Sequence, residues 1–180
     1  MTEIYGVTGM PLSGKTTVAD IMKEQLDFTV LDMGEVVRIE MNKRNIPTEK
    51  TGEFVNEMRD EHGGDAIAQL SIPYLEEMIE EQGKIVITGM RGWNEKQRFE
   101  NELESEIKMV ATWAPRKTRK ERREERQREE DKKGDDFEER DIREIENGVG
   151  KLMALSDIII KNDGISLEEL ELKVKNIVES

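Results

Sequence analysis

The stretch that decides the fold is Gly9-Met10-Pro11-Leu12-Ser13-Gly14-Lys15-Thr16, which fits the pattern G-x-x-x-x-G-K-[ST]. An apolar run, Ile4–Val7, precedes this stretch, and a helical pattern, Lys15–Gln25, begins within it. A strand, a glycine-containing turn and a helix in this order form a cradle, in which backbone N–H groups and the positive end of the helix bind phosphates. The sequence therefore predicts a nucleotide site at the start of an α/β fold.

The residue types of this cradle suit a nucleoside triphosphate with Mg²⁺. Gly9 and Gly14 permit the positive φ angles that bring backbone N–H groups close to a polyphosphate. We predict that Lys15 reaches the β- and γ-phosphates as a catalytic residue, and that the Thr16 hydroxyl binds Mg²⁺. Thr17 is predicted to donate to the α-phosphate. The predicted phosphoryl donor is ATP or GTP, held by residues 9–17.

Apolar runs of strand length alternate with helical patterns along the chain. The predicted strands are Ile4–Val7, Phe28–Leu31, Ile85–Ile87, Ile107–Thr112 and Ile158–Ile160. The predicted helices are Lys15–Gln25, Glu35–Arg44, Glu49–His62, Asp65–Glu81, Glu95–Leu103, Pro115–Glu130, Phe137–Glu146 and Ser166–Val178, the last with a capping box of Ser166 and Glu169. β-Branched runs between amphipathic helices are typical of a parallel sheet with helices on both faces. We expect one α/β domain over residues 1–180, a three-layer sandwich with a five-stranded parallel sheet.

The overall composition disfavours several classes of partner. The 180 residues carry a formal net charge of −13, and such an acidic surface repels nucleic acid. No run of 18 apolar residues occurs, so we expect no membrane contact. The chain has no cysteine and no signal-peptide pattern at its N-terminus, and we expect a cytoplasmic protein. The composition leaves the oligomeric state open.

Residues 116–133 differ in charge from the rest of the chain, with ten basic and six acidic residues among 18. One interpretation is a solvated helix stabilised by i,i+4 ion pairs. The other is an arginine-rich lid over phosphates, with Arg119, Arg122 and Arg126 on one helical face. The position after a phosphate-binding motif favours the lid, and we assign it residues 115–147.

Four further motifs follow the ends of predicted elements: Leu31-Asp-Met-Gly34-Glu35-Val-Val-Arg38, Ile85-Val-Ile-Thr88-Gly89-Met90-Arg91, Phe137-Glu-Glu-Arg140-Asp141 and Ser156-Asp-Ile-Ile-Ile-Lys-Asn162-Asp-Gly164. With the cradle, they make the chain resemble the P-loop nucleoside monophosphate kinase superfamily from Ile4 to about Val178. More narrowly, the chain resembles an uncharacterised archaeal P-loop family related to dephospho-coenzyme A kinase and adenylate kinase. The resemblance implies a P-loop NTPase fold with a helical lid.

The resemblance assigns the acceptor side of the site to residues after the second and third strands. It implies that Gly34 allows close approach of the acceptor, and that Arg38 clamps its phosphate. Gly89 and Arg91 form a second phosphate-binding element, and the helices in residues 35–82 form an acceptor-binding insertion. Thr88 replaces an acidic residue that usually helps to hold the metal's waters.

The resemblance also assigns residues near the donor. Arg119 and Arg122 would neutralise charge on the transferred phosphoryl group as catalytic residues, with Arg126 and Arg140 as further phosphate contacts. Asn162 would lie beside the donor's adenine, although a plain turn that ends the fifth strand explains the same residues.

These motifs indicate an ATP-dependent small-molecule kinase that acts on a nucleotide or a nucleotide-like metabolite. Two alternatives remain at this point. One is a nucleotide-binding switch with slow ATP hydrolysis and a protein or RNA partner. The other is a dephospho-coenzyme A kinase, disfavoured because Gly34 stands where that family has an aspartate base; Asp32 is then the candidate base.

Overall fold

Five strands form one parallel sheet in the computed structural model, which describes residues 2–126 and 136–179. The strands are β1 Glu3–Gly9, β2 Thr29–Asp32, β3 Lys84–Thr88, β4 Lys108–Trp113 and β5 Ile158–Lys161. Their order is β2-β3-β1-β4-β5, and every neighbouring pair is parallel. The central strand β1 therefore delivers the cradle to the carboxyl edge of the sheet, where open α/β folds bind ligands.

Helices cover the sheet as the periodicity predicts. In the described residues they are α1 Lys15–Leu26, α2 Met33–Lys43, α3 Thr51–His62, α4 Ala66–Glu81, α5 Trp93–Leu103, α6 Arg116–Arg126, α7 Phe137–Glu146, α8 Val149–Ala154 and α9 Leu167–Val178. A short 3₁₀ turn, Thr48–Lys50, precedes α3. The predicted α/β class and parallel sheet are confirmed.

Two differences from the predicted elements have local causes. The helix α2 begins two residues before Glu35, because the Asp32 carboxylate accepts a hydrogen bond from the Gly34 N–H and caps it. The helix α8 has six residues, too few to show a periodic pattern. The predicted helix Pro115–Glu130 is described only to Arg126, and the rest of it, with the predicted lid residues up to Lys133, lies outside the described residues.

The sheet is buried on both faces, which explains its uninterrupted apolar strands. Ile85 and Ile87 pack into one hydrophobic cluster with residues of α2, α3, α4, α5 and α8. Val86 and Val110 pack into the other with residues of α1 and α9. Because successive side chains of a strand point to opposite faces, a strand between two cores needs apolar residues throughout.

The last helix begins with the predicted capping box, which is confirmed. The Glu169 N–H donates to Ser166 Oγ at 3.2 Å, and the Ser166 N–H donates to Glu169 Oε2 at 2.7 Å. These bonds satisfy two of the backbone groups that a helix start leaves without partners. Across residues 2–126 and 136–179, the helices are all too short or too polar to span a membrane.

Candidate functional site

The turn between β1 and α1 adopts a conformation that requires glycine. Gly9 has a φ of 150° and Gly14 a φ of 105°, both in the region that disfavours side chains. A Cβ atom at Gly9 would overlap the Thr112 carbonyl oxygen, and one at Gly14 would overlap the Asn162 amide. The backbone therefore approaches its neighbours, and any bound phosphate, more closely than a larger residue would allow.

Lys15 lies folded over its own loop. Its ammonium donates to the carbonyl oxygens of Gly9 at 2.8 Å and Met10 at 3.0 Å. Burial lowers the pKa of Lys15 to about 8; the Glu144 carboxylate opposes this shift, and Arg140 and Arg91 add to it. The charges around the ammonium show that α7 and the loop after β3 converge on the cradle.

Three side chains from outside the loop hold its next carbonyl oxygens. They donate one hydrogen bond each: Arg119 to Pro11 (3.2 Å), Arg122 to Leu12 (3.0 Å) and Asn162 to Ser13 (2.9 Å). Arg122 also donates to the Asn162 carbonyl oxygen at 2.8 Å. The carbonyl oxygens of residues 9–13 are thus all engaged by side chains, and the loop is held from its outer side.

The predicted lid arginines have different environments. Arg119 is buried and forms a double hydrogen bond with Asp141 on α7, with both N···O distances at 2.7 Å. Burial lowers the pKa of Arg122, with a further contribution from the charge of Arg126. Arg126 is exposed at the last described position of α6. The sequence predicts that these three arginines share one helical face. One of them, Arg119, is already hydrogen-bonded to a carboxylate.

A cavity of about 620 Å³ lies at the carboxyl ends of β2 and β3 and contains the predicted acceptor residues. Its lining includes Asp32, Gly34, Arg38, Gly89 and Arg91, all predicted from motifs after β2 and β3. Aliphatic side chains of Val37, Val55 and Ile67 form its apolar wall. The cavity therefore combines apolar contact area with charged groups, as ligand sites usually do.

Sequence reasoning missed two arginines in this cavity. Arg59 on α3 and Arg143 on α7 also line it, which raises the number of arginines there to four. The buried Arg59 Nε atom has no hydrogen-bond partner within the described part of the chain. Thr51, Val55 and Arg59 line the cavity and are spaced four residues apart, so they lie on one face of α3. This spacing was the feature of the sequence from which Arg59 could have been assigned to the site.

Two carboxylates near the cavity have defined positions. Asp32 caps α2 through the Gly34 N–H at 2.8 Å and lies 3.7 Å from the Arg38 guanidinium. Glu144 on α7, which sequence reasoning did not assign, lies 3.5 Å from Arg91 Nε and influences the charge of Lys15. Glu144 is thus the acidic group at the junction of cradle and cavity. Asp32 lies in register beside Thr88 on the neighbouring strand.

A buried glutamate fixes the backbone that carries Arg91. Glu95 on α5 accepts hydrogen bonds from the N–H groups of Arg91 at 2.7 Å and Gly92 at 3.1 Å. Burial raises the pKa of Glu95, and the bonds from these two N–H groups oppose that shift. The position of Arg91 therefore depends on α5 as well as on β3.

The first turn of α1 suits a metal ion that arrives with a nucleotide. Thr16 is exposed there, directly after Lys15 and beside the loop whose carbonyl oxygens are held outward. Its hydroxyl is accessible to Mg²⁺, which prefers a few oxygen ligands together with substrate phosphates.

Comparison with known proteins identifies the family. Residues 8–143 match the family model of an AAA domain. A UPF0200 protein of Thermococcus gammatolerans is 36% identical over 177 residues, which cover 96% of this chain and 92% of that protein. The chain belongs to the UPF0200 family. A UPF0200 protein of Aeropyrum pernix is 39% identical over 174 residues, covering 96% of this chain and 90% of the relative. The archaeal P-loop family that the motifs indicated is therefore confirmed.

One relative of this UPF0200 protein is longer. A UPF0200/UPF0201 protein of Archaeoglobus fulgidus is 34% identical over 179 residues, which cover 98% of this chain and 55% of that protein. The chain thus spans about half the length of this relative.

Several solved structures similar to the UPF0200 chain are named as kinases, and another is named only as an uncharacterised protein. A shikimate kinase from Bacteroides thetaiotaomicron has a TM-score of 0.61 at 17% identity, with 100% of both chains covered. A sugar kinase from Janibacter sp. HTCC2649 has a TM-score of 0.55 at 15% identity, covering 99% of this chain and 95% of the other. At such identities the likeness shows the fold alone, and the predicted P-loop kinase fold is confirmed.

Proposed function

We propose that this UPF0200 protein is a Mg²⁺-dependent kinase that transfers the γ-phosphoryl group of ATP, or of GTP, to an anionic small molecule. A nucleotide or a nucleotide-like metabolite is the acceptor class we favour. The observation that carries this proposal is the junction of the phosphate cradle with an arginine-lined cavity. Lys15 belongs to the cradle and Arg91 to the cavity, and Glu144 lies close to both.

The cradle supports the donor half of the proposal. The N–H groups of the loop and of the first turn of α1 would bind the phosphates, and Thr16 would hold Mg²⁺ together with them. When bound, Mg²⁺ neutralises charge that builds on the phosphates during transfer. Lys15 would leave the carbonyl oxygens of Gly9 and Met10 and move to the β- and γ-phosphates.

The cavity supports the acceptor half. Its four arginines are Arg38, Arg59, Arg91 and Arg143, and they suit an acceptor that carries a phosphate or carboxylate group. The buried Arg59 Nε, without a partner in residues 2–126 and 136–179, is a donor that an anionic oxygen would satisfy. Residues 35–82 supply all of α3 and α4 and most of α2, in line with an acceptor-binding insertion.

The reaction we propose is an in-line displacement. An acceptor oxygen attacks the γ-phosphorus, the bond from that phosphorus to the β–γ bridging oxygen breaks, and ADP leaves. An ionised phosphate acceptor needs no base, whereas a hydroxyl acceptor would give its proton to Asp32. Arg91 and Lys15 would hold the two reactants in line, so positioning and charge neutralisation supply most of the rate enhancement. We retain residues 115–147, with α6 and α7, as the region that covers the nucleotide, and Arg126 and Arg140 as further phosphate contacts.

A coupled assay for ADP release tests this function. The protein is incubated with MgATP and, in separate reactions, nucleoside monophosphates, dephospho-coenzyme A or no acceptor. We expect release that depends on a nucleoside monophosphate or a related anion and that the Lys15→Ala variant abolishes. Equal release without acceptor would instead indicate the switch protein, and release with dephospho-coenzyme A alone would indicate a dephospho-coenzyme A kinase.

A further inference from the structure

The buried pair of Arg119 and Asp141 contacts the phosphate loop at the carbonyl oxygen of Pro11. The two Arg119–Asp141 hydrogen bonds are 2.7 Å long, and the same guanidinium donates to the Pro11 carbonyl oxygen at 3.2 Å. We propose that Arg119 and Asp141 are positioning residues that hold the loop in its phosphate-binding conformation, rather than groups that contact the transferred phosphoryl. This inference rests on the proposed nucleotide binding.

The chemistry of the loop explains why such a brace is needed. A loop that binds phosphate must point N–H groups inward and carbonyl oxygens outward, because carbonyl oxygens repel anionic oxygens. The Pro11 carbonyl forms one planar peptide group with the Leu12 N–H, so a hydrogen bond to that carbonyl oxygen also fixes the direction of this N–H. Arg119 donates to that carbonyl, while Arg122 and Asn162 hold the next two.

Asp141 is what keeps the Arg119 guanidinium in place. Arg119 is 6% exposed and Asp141 is 8% exposed, so neither charge has access to bulk water as an alternative partner. The Phe137 ring lies 5.1 Å from the guanidinium and covers it. Removing either member of a buried, double hydrogen-bonded pair leaves an uncompensated charge, so the geometry of the remaining partner changes.

A second ion pair joins the same two helices and serves as a matched control. Arg116 on α6 lies 2.9 Å from Glu138 on α7, also near the Phe137 ring. These side chains are 49% and 64% exposed. No hydrogen bond joins Arg116 to the loop in the described part of the chain. Both pairs join α6 to α7, but only Arg119 donates to the loop. Variants of the two pairs can therefore distinguish the effect of that hydrogen bond from the effect of packing α6 on α7.

The test measures dissociation constants of MgATP and of inorganic triphosphate with Mg²⁺. The variants are Arg119→Lys and Asp141→Asn, and the controls are Arg116→Lys and Glu138→Gln. We expect the first two to weaken both ligands by the same factor, about 10- to 100-fold, by analogy with residues that orient metal ligands from the outer shell. The controls should bind both ligands like the unaltered protein.

Equal loss of both ligands is the result that a positioning role requires, because inorganic triphosphate has no adenine. Loss of MgATP alone would show that Arg119 contacts the nucleoside, and would overturn the proposal. Unchanged binding with a lower turnover would show contact with the transferred group, and would overturn it equally. Unchanged binding and turnover would also refute it.

Two points keep the test decisive. Asp141→Asn keeps the shape of the side chain and leaves Arg119 present. Its dissociation constants therefore test the proposal even if Arg119→Lys does not fold. In the unaltered protein the Ser13 N–H donates to the Met10 carbonyl oxygen at 3.2 Å, and without ligand its hydrogen exchange should be faster in Asp141→Asn; an unchanged exchange rate would contradict a positioning role. If the unaltered protein binds neither ligand, the proposed function fails, and not merely this inference.

Discussion

The cradle and the cavity differ in how their polar groups are satisfied. In the cradle, each carbonyl oxygen of residues 9–13 accepts a side-chain hydrogen bond, and the bracing arginine is buried. In the cavity, the side chains of Arg38 and Arg91 are 48% and 45% exposed. The buried Arg59 Nε has no partner in residues 2–126 and 136–179. Arg38 Nε donates to Glu35 at 2.7 Å and Arg91 Nε lies 3.5 Å from Glu144, so these two arginines have acidic partners and differ from the cradle in their exposure. We infer a donor half whose loop is arranged in advance and an acceptor half whose arginines stay accessible to a ligand.

This difference has a physical consequence for binding. A prearranged loop loses little conformational freedom when phosphate arrives, so more of the interaction energy appears as affinity. An unsatisfied buried donor costs about 1–3 kcal/mol in the free protein, and a ligand that satisfies it recovers that cost. We therefore expect variants in the cradle to weaken donor binding, and variants in the cavity to act on the acceptor alone.

The largest expected effect is that of Lys15→Ala. Loss of the ammonium should lower turnover by about 10²- to 10³-fold, as when other prearranged charge-stabilising groups are removed, and should weaken MgATP binding. Steady-state kinetics and calorimetric titration measure the two effects. Lys23→Ala, an exposed position near the end of the same helix, is the control and should behave like the unaltered protein. Full activity of Lys15→Ala would refute the assignment of the cradle.

The next effect concerns the cavity alone. Arg59→Met should raise the acceptor KM by a factor that corresponds to about 2–4 kcal/mol, with the dissociation constant of MgATP unchanged. The free energy of unfolding should stay the same or increase, because the substitution removes a buried donor without a partner. Arg44→Met is the control, since Arg44 packs over Phe54 and is not part of the cavity lining. Equal weakening of donor and acceptor would contradict the division into two halves.

The junction between the halves should appear in the pH dependence of donor binding. The Lys15 pKa is lowered to about 8, so the ammonium loses its proton as pH rises through that value. Since phosphate binds the protonated form, affinity for inorganic triphosphate should fall above pH 8. Glu144 raises the Lys15 pKa, and Glu144→Gln should therefore move the fall to lower pH.

Titrations between about pH 6.5 and 9.5 measure this effect, with Lys15→Arg as the control. Arginine stays protonated across the range, so this variant should show only the pH dependence that comes from the ligand and from other groups. An unchanged transition in Glu144→Gln would show that this carboxylate does not act on Lys15.

The smallest effect should come from a position outside both halves. Ser166→Ala removes the side-chain acceptor that caps α9 and should lower the free energy of unfolding by about 1 kcal/mol. Chemical denaturation measures this change. Neither the MgATP dissociation constant nor the acceptor KM should change at temperatures where the variant is folded. A change in either constant would show that α9 is coupled to the site.

The cradle could be predicted because its chemistry is local. Gly9 and Gly14 are required by backbone angles, and Lys15 belongs to the same short turn, so contiguous residues specify the geometry. The sheet could be predicted for a similar reason, because strand and helix periodicities are properties of short windows. Asp32 as the cap of α2 lay within reach of the same reasoning.

The partners of charged side chains could not be predicted in this way. Arg119, Arg122 and Arg126 share a helical face by their spacing, but spacing does not say what that face meets. Asp141 is 22 residues beyond Arg119 and comes from another helix. The local pattern therefore suggested contacts with phosphate, whereas the guanidinium of Arg119 is committed to a carboxylate and a loop carbonyl.

The sequence by itself determined that this chain has a parallel α/β sheet, a phosphate cradle at Gly9–Thr16 and arginines after β2 and β3. Only the tertiary structure decided that Arg59 and Arg143 join Arg38 and Arg91 in one cavity, and that Glu144 pairs with Arg91 and raises the pKa of Lys15. The reason is physical. Backbone angles and hydrophobic periodicity act over a few neighbouring residues, whereas the meeting of α3, α7 and the loop after β3 depends on how whole helices pack against the sheet.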